Sequence, residues 1–382
     1  MWMLIFMLLP LLGVTYVAWH VWILLPLASL WRWLAVAVIV GSFLLLFFVL
    51  GRRLDGYPLP VAQVLYETGT GSIIVLLYLV MLFLLLDVGR LLHLVPRQLL
   101  YANWATAAAI VVLVTGLFVY ANAHYNNKVR VELDLTTTKR LPRDYKVVMA
   151  SDLHLGYHNP RRELARWVDL MNQEQPDFIL IAGDIIDMSI RPLIEEDMAA
   201  EFRRLQAPVY ACLGNHEYYS GEPQAQQFYR EAGICLLSDD YALAGSDSAI
   251  AIVGRDDRTN RSRKSVADLM EAVRSSASLS STALNLSSSP YVILLDHQPY
   301  QLELAEQAGV DFQLSGHTHR GQVWPISWIT DALYECSWGS HQRGATRYYV
   351  SSGLGIWGGK FRIGTQSEYV VATIRTQQEK RS

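Results

Sequence analysis

Charged residues are missing from long stretches of the first third of the chain. Met1 to Trp31 contains no Asp, Glu, Lys or Arg, and after Arg32 the runs Trp33 to Leu50, Thr68 to Leu86 and Gln98 to Asn127 are uncharged as well. Each run supplies the ~20 mostly apolar residues that cross a hydrocarbon core. Helices of soluble proteins seldom stay uncharged this long, so the pattern predicts four membrane helices. No basic segment precedes the first run and no small-residue cleavage site closes it, which argues against a signal peptide.

Beyond Lys128 the pattern changes to short apolar runs set among charged and polar positions. Lys128 to Arg143 reads as a linker and entry strand. YKVVMAS (Tyr145 to Ser151), DFILIAG (Asp177 to Gly183), PVYACLG (Pro208 to Gly214), AIAIVG (Ala249 to Gly254), YVILLD (Tyr291 to Asp296) and DFQLSG (Asp311 to Gly316) read as buried strands bounded by turn residues. Helical periodicity occupies Arg161 to Asn172 and Pro192 to Leu205. Alternation of this kind predicts an α/β or mixed sheet layered with helices. The serine-rich stretch Ser275 to Ser289 reads as a low-complexity loop.

The expected division is a membrane domain over 1–127, a linker over 128–144 and a catalytic domain over 145–382. At 382 residues the chain has room for that. Its formal net charge of -3 carries no basic footprint for nucleic acid. Cys212, Cys235 and Cys336 form no CxxC and cannot all pair, which speaks against a disulfide framework.

Polar residues gather where the predicted strands end. Asp152 and His154 follow the first strand, Asp184 and Asp187 the second, and Asn215, His216 and Glu217 the third; His297 follows YVILLD, and His317 and His319 follow DFQLSG. In layered α/β folds ligands collect outside the carboxyl ends of strands. Two residues apart, His317 and His319 would share a face if the strand continued through them. Mixed carboxylate and imidazole donors suit Mn, Fe, Zn, Co or Ni rather than Mg or Ca, and a bridging carboxylate would hold two ions at ~3.5 to 4 Å for phosphoryl transfer.

The motifs DLH, GDIID, GNHE, the isolated His297 and GHTH, in this order, resemble those of calcineurin-like metallophosphoesterases over about Tyr145 to Ile374. The tail, with GHTHRGQ, YYVSSGLGIWG and FRIGTQSEYVVATI, is similar to a membrane-associated bacterial branch called YkuE-like. The resemblance implies a four-layer αββα catalytic domain and two divalent ions, Mn, Zn or Fe. It places Asp152, His154, Asp184 and His319 on one ion, with Asp184 bridging and Asn215, His297 and His317 completing the other. His216 would stand beside the reacting phosphate. The implied reaction is attack of a metal-bound hydroxide on a phosphodiester, phosphomonoester or pyrophosphate.

Arg320 stands where that branch usually has glycine, and a guanidinium there could pair with phosphate. Arg255 and Arg258, in the basic loop GRDDRTNRSRK, and His158 are further candidates for substrate contact. Asp187 either orients a ligand or caps a turn, and Glu217 is expected to support ligands rather than bind metal. Within the membrane part, His20, Glu67, Asp87, Arg90 and His93 are the polar outliers, Asp87 foremost.

A membrane anchor suggests a lipid bilayer as partner and an amphiphilic substrate, a lipid or a nucleotide-linked lipid. No nucleic acid or protein partner is implied. The alternatives are a nuclease of the same superfamily and a membrane scaffold or sensor with a non-catalytic fold. Arg52, Arg53, Lys128 and Arg130 lean toward a catalytic domain on the cytoplasmic side of a bacterial inner membrane. All proposed ligands lie between Asp152 and His319, so a fragment starting near Lys139 is expected to keep them.

Overall fold

A computed structural model describes residues 2–51, 53–245, 248–284 and 289–377. It divides into two units, Met1–His124 with Gly358–Phe361, and Tyr125–Trp357 with Arg362–Ser382.

The first unit contains α1 (Trp2–Leu24), α2 (Ser29–Leu50), α3 (Leu59–Leu91) and α4 (Trp104–Asn126). Among the described residues, α2, α3 and α4 are long and apolar enough to cross a membrane, whereas the stretch Leu8–Leu24 of α1 is apolar but shorter. The third helix starts well before the expected run, because Pro60 fits the first turn, where its missing N–H leaves no gap in the hydrogen bonds. Val17, Phe43, Leu76 and Phe83 meet in the core of this unit. Asp87 is not left bare: its Oδ2 accepts from Tyr16 Oη at 2.7 Å and lies 3.0 Å from His20 Nε2. Arg52, one of the residues behind the expected orientation, lies outside the described residues.

In the second unit the strands are β1 (Lys128–Thr137), β2 (Tyr145–Ala150), β3 (Phe178–Ala182), β4 (Val209–Cys212), β5 (Cys235–Leu236) and β6 (Asp240–Ala244). They continue as β7 (Ile250–Gly254), β8 (Tyr291–Leu295), β9 (Phe312–Ser315), β10 (Gly339–Arg343), β11 (Thr346–Val350) and β12 (Ser367–Thr376). Two six-stranded mixed sheets result, ordered β1-β12-β2-β3-β4-β5 and β10-β11-β9-β8-β7-β6. The helices are α5 (Arg161–Gln173), α6 (Arg191–Glu195), α7 (Met198–Phe202), α8 (Asn215–Ser220), α9 (Glu222–Ala232), α10 (Val266–Leu284), α11 (Glu303–Ala308) and α12 (Ile326–Leu333).

Alternation along the strands explains the packing. Val147 and Met149 join Leu180, Ile252, Ile293 and Leu314 in a core shared by the two sheets. Val148 and Ala150 turn the other way, toward Trp167, Phe202 and Phe228 on helices. Ala251, Val253, Val292 and Leu294 likewise pack against Leu269, Val273 and Leu302. Strands buried on both faces read as unbroken apolar runs, which is why these were legible. Since β2, β3 and β4 are mutually parallel, and so are β8 and β9, their carboxyl ends fall on one edge of each sheet.

Three expectations need correction. In Lys128 to Arg143, expected as a linker and entry strand, the strand is present and takes up most of the space given to a linker, for β1 pairs with β12 over all ten of its residues. Pro192 to Leu205 is two short helices, α6 and α7, broken at Asp197, whose φ of 47° does not fit a helix. The serine-rich loop is helical up to Leu284 as the end of α10, because serine lowers helix propensity only modestly; residues 285–288 lie outside the described residues.

Candidate metal centre

The carboxyl ends of β2, β3, β4, β8 and β9 deliver the candidate residues through backbone that few side chains tolerate. Asp152, His154, Asp184, His317 and His319 all have positive φ, between 45° and 70°. Such left-handed residues cost on the order of 1 to 3 kcal/mol each and gather at functional sites. His317 and His319 lie past the end of β9. Their convergence therefore comes from left-handed turns and not from strand alternation.

Around Asp184 the side chains close in. Its Oδ2 lies 3.1 Å from His297 Nε2 and 3.7 Å from His154 Nε2. His154 Nε2 is 3.0 Å from His319 Nε2, which is 3.4 Å from Asp152 Oδ1. Three sets have ligand atoms within 4.8 Å of one another: Asp152, His154 and His319; His154, Asp184 and His216; and Asp184, His297 and His317. Gly214 and Gly316 make this closeness possible, since a Cβ on either would run into the Asp184 or the Asp152 carboxylate.

These donors fit divalent ions. Asn215 Oδ1 and His297 Nε2 are buried without a hydrogen-bond partner, an arrangement that is costly unless something else satisfies them. The His297 ring is oriented by Nδ1, which donates to the Ala182 carbonyl at 2.7 Å. Burial lowers His319 to about 3, with His154 adding to it, and lowers His317 to about 4, with His297 adding to it. Burial also works against a proton on His154, but Asp152, Asp187 and Asp184 lift it to about 10. His297 is likewise raised, by Asp184 against its own burial.

Asp187 and Glu217 have distinct jobs. Burial alone would raise the Asp187 carboxyl, yet His154 and His216 hold it well below the usual range. As an ionised carboxylate it can only accept, so His216 Nδ1, 2.9 Å away, donates to it and Nε2 is left for other chemistry. Asp187 also lies 3.7 Å from His154 Nδ1. It orients histidines, the first of its two readings. Glu217 accepts from the backbone N–H groups of Asp184, Gly214 and Ile186 at 3.1, 2.7 and 3.0 Å. It supports the turn that presents Asp184, in line with its expected supporting role.

The expected substrate contacts fare differently. His158 is fully buried, with Nε2 2.5 Å from the Ile356 carbonyl, and presents no exposed surface to a substrate. Arg255 is buried too, donating to Asp296 at 3.1 Å and to the Lys264 carbonyl at 3.0 Å; it braces its own loop. Arg258 is exposed and sits over the Tyr300 ring at 4.0 Å. The Arg320 guanidinium lies over Trp338 at 4.2 Å, with Asp331 4.0 Å away.

Sequence reasoning missed Arg362. It is fully buried and donates to the carbonyls of His319 at 2.7 Å and Ser352 at 2.5 Å, and to Ser367 Oγ at 3.2 Å. Burial pulls its guanidinium down to about 10, against the pull of Glu368. Glu368, also buried, accepts from Trp338, Tyr349 and the Ser352 N–H. Arg362 between Phe361 and Ile363, and Glu368 at the head of the run Tyr369 to Ala372, were the available signal.

Comparison with known proteins agrees with this geometry. The family profile described as calcineurin-like phosphoesterase matches residues 145–321. A metallophosphoesterase of Aquifex aeolicus is 30% identical over 254 residues, 64% of this chain and 92% of that protein. One from Campylobacter jejuni is 31% identical over 238 residues, 62% of this chain and 60% of its own length, so this chain spans about three fifths of it. The metallophosphoesterase YkuE of Bacillus subtilis is 28% identical over 242 residues, 61% of this chain and 79% of that protein. The chain belongs to the calcineurin-like metallophosphoesterase family, whose members work with paired divalent metal ions.

Proposed function

We propose that this chain is a membrane-anchored phosphoesterase that hydrolyses a phosphodiester, phosphomonoester or pyrophosphate of an amphiphilic substrate. The observation that carries the reading is the set of buried donors around Asp184, with Asn215 Oδ1 and His297 Nε2 lacking hydrogen-bond partners. Asp152, His154, Asp184 and His319 would hold one ion, and Asp184, Asn215, His297 and His317 the second. Bound there, two ions supply an activated water and neutralise charge developing on the phosphoryl oxygens. His216, its ring fixed through Nδ1 by Asp187, moves a proton at Nε2 to or from the reacting oxygen.

Support for an amphiphilic substrate comes from apolar surface. The helices α2, α3 and α4 have the length and composition of membrane spans, and we take α1 as a fourth. In the second unit, α12 exposes Trp328, Ile329 and Leu333 at 65%, 54% and 71%. An amphipathic helix of this kind suits a lipid interface. The domain is read as four layered, αββα, and cytoplasmic.

A panel of soluble and lipid phosphoesters, run with Mn, Zn, Co and Mg, tests the proposal. Turnover of lipid or nucleotide-lipid esters above soluble ones is expected. Turnover confined to soluble esters removes the amphiphile, and no turnover with any metal removes the reaction.

A further inference from the structure

A groove of about 380 Å³ runs between α2 and α3 in the first unit. Its α3 wall is the stripe Glu67, Gly71, Val75 and Leu79, spaced four apart so that they share one helix face. Across from it stand Val38, Ile39, Ser42 and Phe43 of α2, and Phe361 closes one end. Small residues open the space: Ser72 spends its hydroxyl on the Ser42 and Gly69 carbonyls, and a Cβ at Gly71 would already touch Phe361 at 3.5 Å. Two α4 residues hold the closing segment, Asn122 by donating to the Lys360 carbonyl at 3.0 Å and Phe118 by meeting the Phe361 ring at 4.7 Å.

Among the described residues that line the groove the charge lies at one end. Lys360 Nζ lies 3.4 Å from Glu67 Oε1, the lysine side chain 12% exposed and the glutamate 51%. From Glu67 to Leu79 is twelve residues, ~18 Å of helix, about the depth of one leaflet of a ~30 Å hydrocarbon core. Val38, on the groove lip, is 67% exposed, so the groove opens sideways to whatever surrounds α2 and α3.

We propose that this groove is a binding site for a phospholipid whose headgroup carries both a phosphate and an ammonium, as phosphatidylethanolamine does. One acyl chain lies along the Gly71–Val75–Leu79 stripe. Lys360 meets the phosphate and Glu67 the ammonium, so the lipid replaces a single ion pair with two at the polar end. The length of one leaflet and the adjacent opposite charges together select this lipid over a free phosphate, which would leave the apolar wall unfilled. The inference rests on the membrane placement of α2 and α3 and is independent of the metal centre.

The test uses the full chain, purified in detergent and stripped of lipid, with binding of phosphatidylethanolamine and phosphatidylglycerol read by native mass spectrometry. One tightly held phosphatidylethanolamine per chain is expected. Gly71→Leu should weaken it about tenfold or more, Glu67→Gln should erase the preference over phosphatidylglycerol, and Lys360→Gln should weaken both lipids alike. Should Gly71→Leu fail to give a cooperative melt, Val38→Trp on the exposed lip makes the same block. Equal binding of both lipids by the wild type, or unchanged binding in the blocked variant, overturns the proposal. Partition of the unaltered protein into the aqueous phase in a detergent phase-separation test would instead overturn the membrane reading beneath it.

Discussion

Arg362 Nη1 donates to the His319 carbonyl across 2.7 Å, so a guanidinium that never touches a candidate ligand atom holds the backbone of one. His319 is in the left-handed region at φ 47°, and its ring must point inward while its carbonyl points away. The planar fork of Arg362 ties that carbonyl to Ser352 and Ser367, which a point-like ammonium cannot reproduce. Arg362→Lys should fold, as judged by circular dichroism, yet lose roughly 10- to 100-fold in metal affinity, the range found when groups orienting a ligand are changed. Metal titration of the variant with unaltered affinity would show that the contact only packs the loop.

Asp187 and His216 should behave as one device. Asp187→Asn keeps the shape but no longer holds the His216 ring by a charged acceptor. A fall in kcat within the ~100- to 10,000-fold range of acid–base groups is expected in His216→Ala, with a smaller one in Asp187→Asn. In kcat at saturating metal the double variant should be little worse than His216→Ala, because there the carboxylate acts through the His216 ring; its contact with His154 should show instead as weaker metal binding in Asp187→Asn. Metal content measured alongside should stay near wild type in His216→Ala; its loss would make His216 a ligand.

Metal uptake should release protons. In the metal-free protein His154, at about 10, and His297, also raised, carry protons at neutral pH, while His317 and His319, at about 4 and 3, do not. Ligands must be deprotonated, so affinity should climb as pH rises from about 6 to 9. Calorimetry in buffers of different ionisation enthalpy counts the protons, and a pH-independent affinity would contradict the assignment. Without metal, the raised His154 contributes stability that is complete below its usual 6.5 and is lost as pH rises through about 10.

A catalytic fragment should start at Tyr125. Cutting near Lys139 removes β1, with Leu133 and Leu135 buried against the sheets and ten residues paired to β12. Each such side chain is worth ~1.5 to 3 kcal/mol. Tyr125 itself is fully buried and donates to Asn159 at 2.8 Å. Thermal melts should therefore show a cooperative transition for the fragment from Tyr125 and a strongly lowered one for that from Lys139. Equal melting temperatures would make β1 dispensable.

By itself the sequence determined where apolar runs become helices and strands, because burial on both faces of a strand and a ~20-residue uncharged stretch leave plain patterns. It also marked Asp152, His154, Asp184, His216, His297, His317 and His319, since ionisable residues seldom follow apolar strands without a purpose. Tertiary structure alone decided which of them meet. His154 and His319 are 165 residues apart and 3.0 Å from each other, a contact made by parallel strand order and left-handed turns, neither of which has a local signature here. It also decided that His158 and Arg255 are internal braces and that Arg362 belongs beside the site. A charge looks the same in a sequence whether it faces water or a ring of carbonyls, and only packing tells the two apart.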